Sequence, residues 1–101
     1  MPRKTWYVDD GEARHAAAPD TFEIPTEAER KSCKPGQHVK LIFCPLNRRP
    51  DQPSGERMWV LISEVKKNGT YVGTLANQPA FLNGLRHGDR IRFEPKHIIT
   101  V

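Results

Sequence analysis

Only two cysteines occur in 101 residues, and there is no long hydrophobic run. The longest apolar stretches, Leu41 to Pro45 and Met58 to Ile62, hold about five residues each. A membrane-spanning helix needs ~20. No apolar stretch follows the basic start at Arg3 and Lys4, so no signal peptide is expected, and a cytoplasmic location is the default. In that compartment Cys33 and Cys44 are expected as reduced thiols rather than a bridge. They stand eleven positions apart, whereas zinc sites use pairs two to four apart. With His38, His87 and His97 scattered, neither a metal nor any other cofactor is expected.

Catalytic signatures are missing as well. There is no G-x-S-x-G turn to raise a nucleophilic serine, and neither cysteine has a recognisable catalytic setting. "NGT" and "HGD" are single glycine turns, not a phosphate-cradling loop between strand and helix. Glu56, Glu64, Asp89 and Glu94 lie among basic residues and suit surface ion pairs better than an acid–base pair. The expectation is therefore not an enzyme, and no small-molecule substrate is evident.

What is present is positive charge, unevenly placed. Residues 1–32 carry five Lys/Arg against seven Asp/Glu, while residues 33–101 carry eleven against five. An acidic leading segment precedes a basic body, an arrangement compatible with masking, with a basic binding face or with a mixed solvated surface.

Local patterning divides the chain into an irregular N-terminal segment, 1–25, packed on or beside the domain, and a single compact β-rich domain, 26–101. Within the first, "TWYVDD" can form a short strand, "EARHAAAPD" a frayed helical turn ended before Pro19, and "TFEIP" an extended stretch. Thr26 and Glu29 fit a capping box for a short helix that Pro35-Gly36 stops. From Gln37 the period changes to two. Val39, Leu41 and Phe43 share one face against His38, Lys40 and Ile42. "PLNRRPDQPSGE" is too rich in proline for helix or central strand and is an exposed loop. "RMWVLISEVKK" is apolar on both faces, Met58, Val60 and Ile62 against Trp59, Leu61 and Val65, which makes it a central strand. Asn68-Gly69 predicts a type I′ hairpin. "TYVGTLA" returns with Gly73 at a bend or bulge. "RIRFEP" is a further strand, and "PKHIITV" a turn and a last strand. "PGQHVKLIF" and "HGDRIRFEP" both set a glycine turn just before an apolar alternation.

About five short antiparallel strands after a short helix cannot leave two open edges safely. The predicted fold is α+β: a small, strongly bent antiparallel sheet or SH3-like barrel with a short N-terminal helix. Leu41, Phe43, Trp59, Leu61, Val72, Leu75, Ile91 and Phe93 are the expected core. Trp59, flanked by Met58 and Val60, is read as a core residue.

The stretches "APDTFEIP", "KPGQHVKLIF", "GERMWVLISEVKKNGTYVGTLANQPAF" and "GLRHGDRIRFEPKHIITV" together resemble a bacterial family numbered 2314 among the domains of unknown function. They cover most of residues 18–101, and "ERMWV", "GTLxNxP" and "GDxIxFxPxHI" are not generic strand patterns. Gln37 departs from the aspartate more usual there. The resemblance implies a compact α+β domain and a cytosolic bacterial home, and it carries no catalytic residues. Small domains of related kind look like immunity proteins against bacterial toxins, which is an analogy of fold.

The functional expectation is a non-enzymatic small β-barrel acting as a protein-interaction or immunity-type module with an unknown protein partner. The alternative is a nucleic-acid-binding barrel using the basic 86–96 face, which needs basic residues interleaved with exposed aromatics. Candidate binding residues are Arg48, Arg49 and Arg57 in and after the long loop, and Arg86, Arg90, Arg92 and Lys96 around the fourth apolar alternation. Phe81 and Leu82, an apolar pair in a polar loop, are expected to plug one end of the barrel.

Overall fold

The ten residues Glu56–Val65 alternate in burial, with Met58, Val60 and Ile62 buried and Arg57, Trp59 and Leu61 more open. This strand is the centre of the sheet. In the computed structural model, which describes residues 4–101, the elements run β1 (Trp6–Val8), α1 (Gly11–Ala17), α2 (Glu27–Lys31), β2 (His38–Pro45), β3 (Glu56–Val65), β4 (Tyr71–Leu75), β5 (Arg90–Phe93) and a 3-10 turn, Pro95–His97. The rest of the basic start, residues 1–3, lies outside the described residues.

The five strands pair antiparallel in sequence order, β1-β2-β3-β4-β5, and curl into a nearly closed barrel. β3 is central, as its two apolar faces require. The strand count differs in its makeup from the sequence expectation. The N-terminal β1 is a full member of the sheet, pairing Trp6 with Pro45 and Val8 with Phe43. The C-terminal tail makes only an isolated bridge, Thr100 with Lys40, held by Lys40 N–H to Thr100 O at 2.9 Å and Ile99 N–H to Lys40 O at 3.0 Å. That bridge sets the end of the chain beside β2 and brings the fold round on itself.

Inside the barrel, Val39, Leu41 and Phe43 of β2 meet Met58, Val60 and Ile62 of β3, Tyr71 and Leu75 of β4, and Ile91 and Phe93 of β5. Leu82 and Leu85 are buried with them, and Phe81 packs against the same cluster, so the apolar pair in the loop after β4 does plug the barrel end. Gly73 faces this interior because nothing larger fits. A Cβ there would lie 2.4 Å from the Leu61 carbonyl oxygen, beside the β-bulge between Ile62 and Glu64.

Two turns share one design. Pro35 and Gly36 (φ 92°) sit in a turn closed by Gln37 N–H to Lys34 O at 3.1 Å. His87 and Gly88 (φ 92°) sit in a turn closed by Asp89 N–H to Arg86 O, also at 3.1 Å. Positive φ at the third position is the type II requirement that glycine meets without strain. The echo between "PGQHVKLIF" and "HGDRIRFEP" is this repeated device ahead of β2 and β5.

The β3–β4 hairpin corrects an expectation. Gly69 has φ 88°, but no non-glycine among the described residues has positive φ, so Asn68 is not in a type I′ turn. Gly69 N–H bonds to Lys66 O at 3.0 Å and Lys66 N–H to Thr70 O at 2.8 Å. This is a three-residue loop with glycine in the left-handed position. The Asn68 side chain accepts from Thr70 N–H at 3.0 Å, which suits Asn68 to a right-handed backbone.

The sheet has a second, smaller apolar cluster on its outer side. Ile42, Cys44 and Ile99 are covered by Phe22 and Ile24. β2 thus buries both faces along part of its length, not the single face that alternation predicted. Cys33 and Cys44 are both buried and free.

Among the described residues Arg30 is the one charged residue in the core, 5 % exposed. It donates to Pro25 O at 2.9 Å and Pro95 O at 3.3 Å and pairs with Glu12 at 2.5 Å. It thereby ties α1, α2 and the 3-10 turn together. The capping box ahead of α2 is present, Thr26 Oγ1 accepting from Glu29 N–H and the Glu29 carboxylate from Thr26 N–H.

Candidate functional site

Cross-strand neighbours point to the same side of a sheet, so the register defines the outer face. One ladder runs His38, Leu61, Thr74, Arg90 across four strands, a width of roughly 14 Å at ~4.8 Å per strand. The next rungs along β2 and β3 are Lys40 with Trp59 and Ile42 with Arg57. Arg57, Trp59 and Leu61 therefore stand about 7 Å apart along β3.

Trp59 is not core. It is half-buried on this outer face. The Lys40 ammonium lies 4.7 Å from its ring centre, and the ring walls an open hollow of about 310 Å³ with His38 and Ala76. Its backbone is fixed on both sides, N–H to Asn77 Oδ1 at 2.5 Å and C=O from Ala76 N–H at 2.9 Å. Leu61 is likewise half-buried. Both depart from the expected core, and for one reason: parity separates the two faces of a strand without saying which face the rest of the chain covers.

The outer face is divided. Over Ile42 and Cys44 it is roofed by the segment after α1, and the Phe22 ring lies between the Arg57 guanidinium, 5.4 Å away, and that of Arg14, 5.9 Å away. Over His38, Lys40, Trp59, Leu61 and Thr74 it is open. The open half is cationic. Among the described residues no carboxylate forms an ion pair with Lys40, Arg57, Arg90 or Arg92.

The seven arginines and lysines singled out in the sequence fall in four places. Arg57, Arg90 and Arg92 are exposed on the outer face. Arg86 is exposed just before the turn into β5, its N–H bonded to the Asp89 carboxylate at 2.8 Å. Arg48 and Arg49 lie in the β2–β3 loop, where Arg48 Nε donates to Gln52 O at 3.0 Å. Arg49 borders a hollow of about 190 Å³ at the barrel end, with Gln52, Phe81 and Asn83. Lys96 belongs to the 3-10 turn, 4.0 Å from Glu94. His38, Lys40, Trp59 and Thr74 were missed as site residues. The available signal was parity: His38 and Lys40 lie opposite Val39 and Leu41, and Trp59 lies opposite Met58 and Val60.

Glu56 is a second residue whose role the sequence hid. Its carboxylate accepts three consecutive backbone N–H groups, Ala80 at 2.5 Å and Phe81 and Leu82 at 3.2 Å each. Successive N–H groups aimed at one point make an anion cradle. Here the start of β3 fills it and pins the plug loop.

The titratable groups with shifted affinities are structural. Burial pushes the Cys33 and Cys44 thiols and the Tyr71 phenol up. Tyr7, beside Cys44, is raised chiefly by the charge that thiol would carry. Burial pushes His97 down, and its Nδ1 accepts from Glu94 N–H at 2.9 Å. Among the described residues no group of three or more His, Cys, Asp and Glu side chains is placed to hold a metal ion. No helix among them is long and apolar enough to cross a membrane.

The family model described as an uncharacterized protein conserved in bacteria (DUF2314) matches residues 10–100. The chain belongs to this family. The match takes in both helices, β2 to β5 and the C-terminal bridge, so this DUF2314 domain owns both halves of the outer face. Neither the curated proteins nor the solved structures compared with the chain gave a match.

Proposed function

We propose that this domain is a non-catalytic protein-interaction module whose contact surface is the open half of the outer face around Trp59. The observation that carries the reading is the placement of Trp59, half-exposed beneath Lys40 on the central strand. A large aromatic anchor on a rigid strand, rimmed by unpaired cations, is the composition that concentrates binding energy at protein interfaces. The cations narrow the partner to one with an acidic surface. The immunity-type role is the special case in which that surface belongs to a toxin.

The basic rim also suits nucleic acid, and the scarcity of exposed rings favours the protein reading over it. Single-strand binders stack successive bases on several rings. Here Trp59 is the one aromatic in the open ladder, and Lys40 covers a face of it.

A photo-cross-linking side chain at Thr74, exposed in the middle of the ladder, tests the reading in bacterial cells. Discrete protein adducts are expected from position 74 and not from exposed Lys34, and they are expected to vanish on Trp59→Ser. Adducts equal at the two positions, or none at 74, would overturn it.

A further inference from the structure

The covered half of the outer face shows what this sheet accepts. Phe22 leaves a turn in which its N–H bonds to Ala18 O at 2.8 Å, and residues 23–25 then cross this half without helix. Phe22 and Ile24 turn inward onto Ile42, Cys44 and Ile99, while Thr21 and Glu23 between and before them stay exposed, as does Asp20. From Phe22 to Ile24 the side chains alternate with period two, the apolar pair down and the Glu23 carboxylate up. The aromatic anchor is flanked by Arg14 and Arg57.

The open half repeats that chemistry without an occupant from the described chain. Trp59, Leu61 and Ala76 give an apolar floor, Lys40 stands over the ring, and Arg90 and Arg92 line the β5 side. The hollow of about 310 Å³ beside Trp59 is bounded by only three residues. It suits one side chain of a longer ligand better than a whole small molecule, which needs most of its surface enclosed. We infer that the open half takes an extended acidic peptide segment, with one aromatic or large aliphatic residue seated beside Trp59 and carboxylates two residues away facing Lys40 and Arg90. This rests on the outer face being the contact surface, and it deepens that reading by naming the partner's form and charge.

Charge complementarity selects against the other occupants. A basic segment would meet Lys40, Arg57, Arg90 and Arg92, none of them ion-paired among the described residues, while Glu64, in one rung with Arg92, is already paired with Lys66. A phosphate backbone would satisfy the cations but leave Leu61 and Ala76 facing polar groups, at a desolvation cost with no return.

The test is selection of random decapeptides on the immobilised full chain, followed by titration of enriched peptides while the Trp59 indole resonance is observed. Enriched peptides are expected to be acidic and to carry an aromatic, leucine or isoleucine flanked by glutamate or aspartate. They should move the Trp59 indole signal, bind about tenfold more weakly to Trp59→Ser, and lose binding to the charge-reversed pair Lys40→Glu and Arg90→Glu. High salt should weaken them, since the contacts are exposed. Enrichment of neutral or basic peptides, no enrichment, or binding that survives both variants would overturn the inference. An oligothymidylate is titrated alongside. If it alone moves the indole signal, the peptide is wrong and the face binds nucleic acid. If protein adducts form at Thr74 while no peptide enriches, the face stands as a protein contact surface and the partner is a folded one.

Discussion

The Tyr71 hydroxyl donates a buried 2.6 Å hydrogen bond to the backbone carbonyl of Arg30. It joins β4 to the last turn of α2, where Arg30 already holds Glu12, Pro25 and Pro95. Burial raises the Tyr71 pKa, so the phenol keeps its proton and remains a donor well into alkaline conditions. Tyr71→Phe keeps the packing on Phe93, whose ring centre is 5.4 Å away, and removes only the donor. The expected cost is ~1–3 kcal/mol, the penalty for leaving a buried acceptor unpaired. Urea unfolding of the variant measures it, and an unchanged midpoint would mean that the carbonyl has another partner.

Trp59 is expected to behave as a surface aromatic. Trp59→Ala gives up partial burial and a cation–π contact worth ~0.5–1 kcal/mol at an exposed site. Phe43→Ala, at a residue with 0 % exposure, should cost ~3–5 kcal/mol. Thermal unfolding of the two variants should therefore differ widely. Equal losses would return Trp59 to the core.

The contrast between these two residues shows how far the sequence could be read. Phe43 was legible because it shares its face with Val39 and Leu41, opposite the polar His38 and Lys40, which marks that face as the inner one; that Ile42 and Cys44 are buried on the other face as well was not legible. Trp59 was not, because β3 is apolar on both faces and the deciding cover, Phe22 and Ile24, comes from far away in the chain and reaches only one half of the sheet. Arg30 was illegible for a related reason: a five-residue helix has no periodicity from which to deduce that an arginine points inward. The hairpin failed on a smaller scale. Asn68 uses its side chain to bond Thr70 N–H instead of adopting positive φ, and the dipeptide alone does not distinguish a two-residue loop from a three-residue one. Of the site, the arginines of β5 could be placed on one face from alternation, whereas bringing Arg90 into one ladder with His38 required the register of four strands.

His97 makes stability depend on pH near neutrality. Burial lowers its folded pKa below the ordinary 6.5 of a free imidazole, so the unfolded chain takes up a proton before the native one does. Stability is then fully present above pH ~6.5 and is lost as pH falls through the folded pKa, by at most about 1.4 kcal/mol per unit. Protonation also removes the acceptor for Glu94 N–H. Melting temperatures should fall between pH 7.5 and 5.5, and His97→Gln should flatten that dependence. A slope unchanged in the variant would assign the effect to another group. The exposed carboxylates Glu27 and Glu29, lowered by Lys31 and by the Thr26 cap respectively, act in a separate window below 4.5, and in the same direction.

Glu56 is expected to govern the plug loop separately from the barrel. Its carboxylate offers two acceptor oxygens to Ala80, Phe81 and Leu82 N–H. Glutamine has nearly the same shape, but one oxygen becomes an NH₂ that cannot accept. At least one N–H of the cradle must then turn to water or open. Leu82 is buried in the main core while Ala80 is exposed, so the loop should loosen from its open side inward. Amide exchange at Phe81 and Leu82 should speed up about tenfold or more in Glu56→Gln, equivalent to ~1.4 kcal/mol. Amides in the middle of β3 and β4, which report global opening, should change by less. Glu56→Asp, too short to span the same three donors, should produce the same local effect. Uniform acceleration throughout the sheet would show instead that the contact supports the whole barrel, and unaltered exchange at Phe81 and Leu82 would show that the apolar plug holds the loop without it.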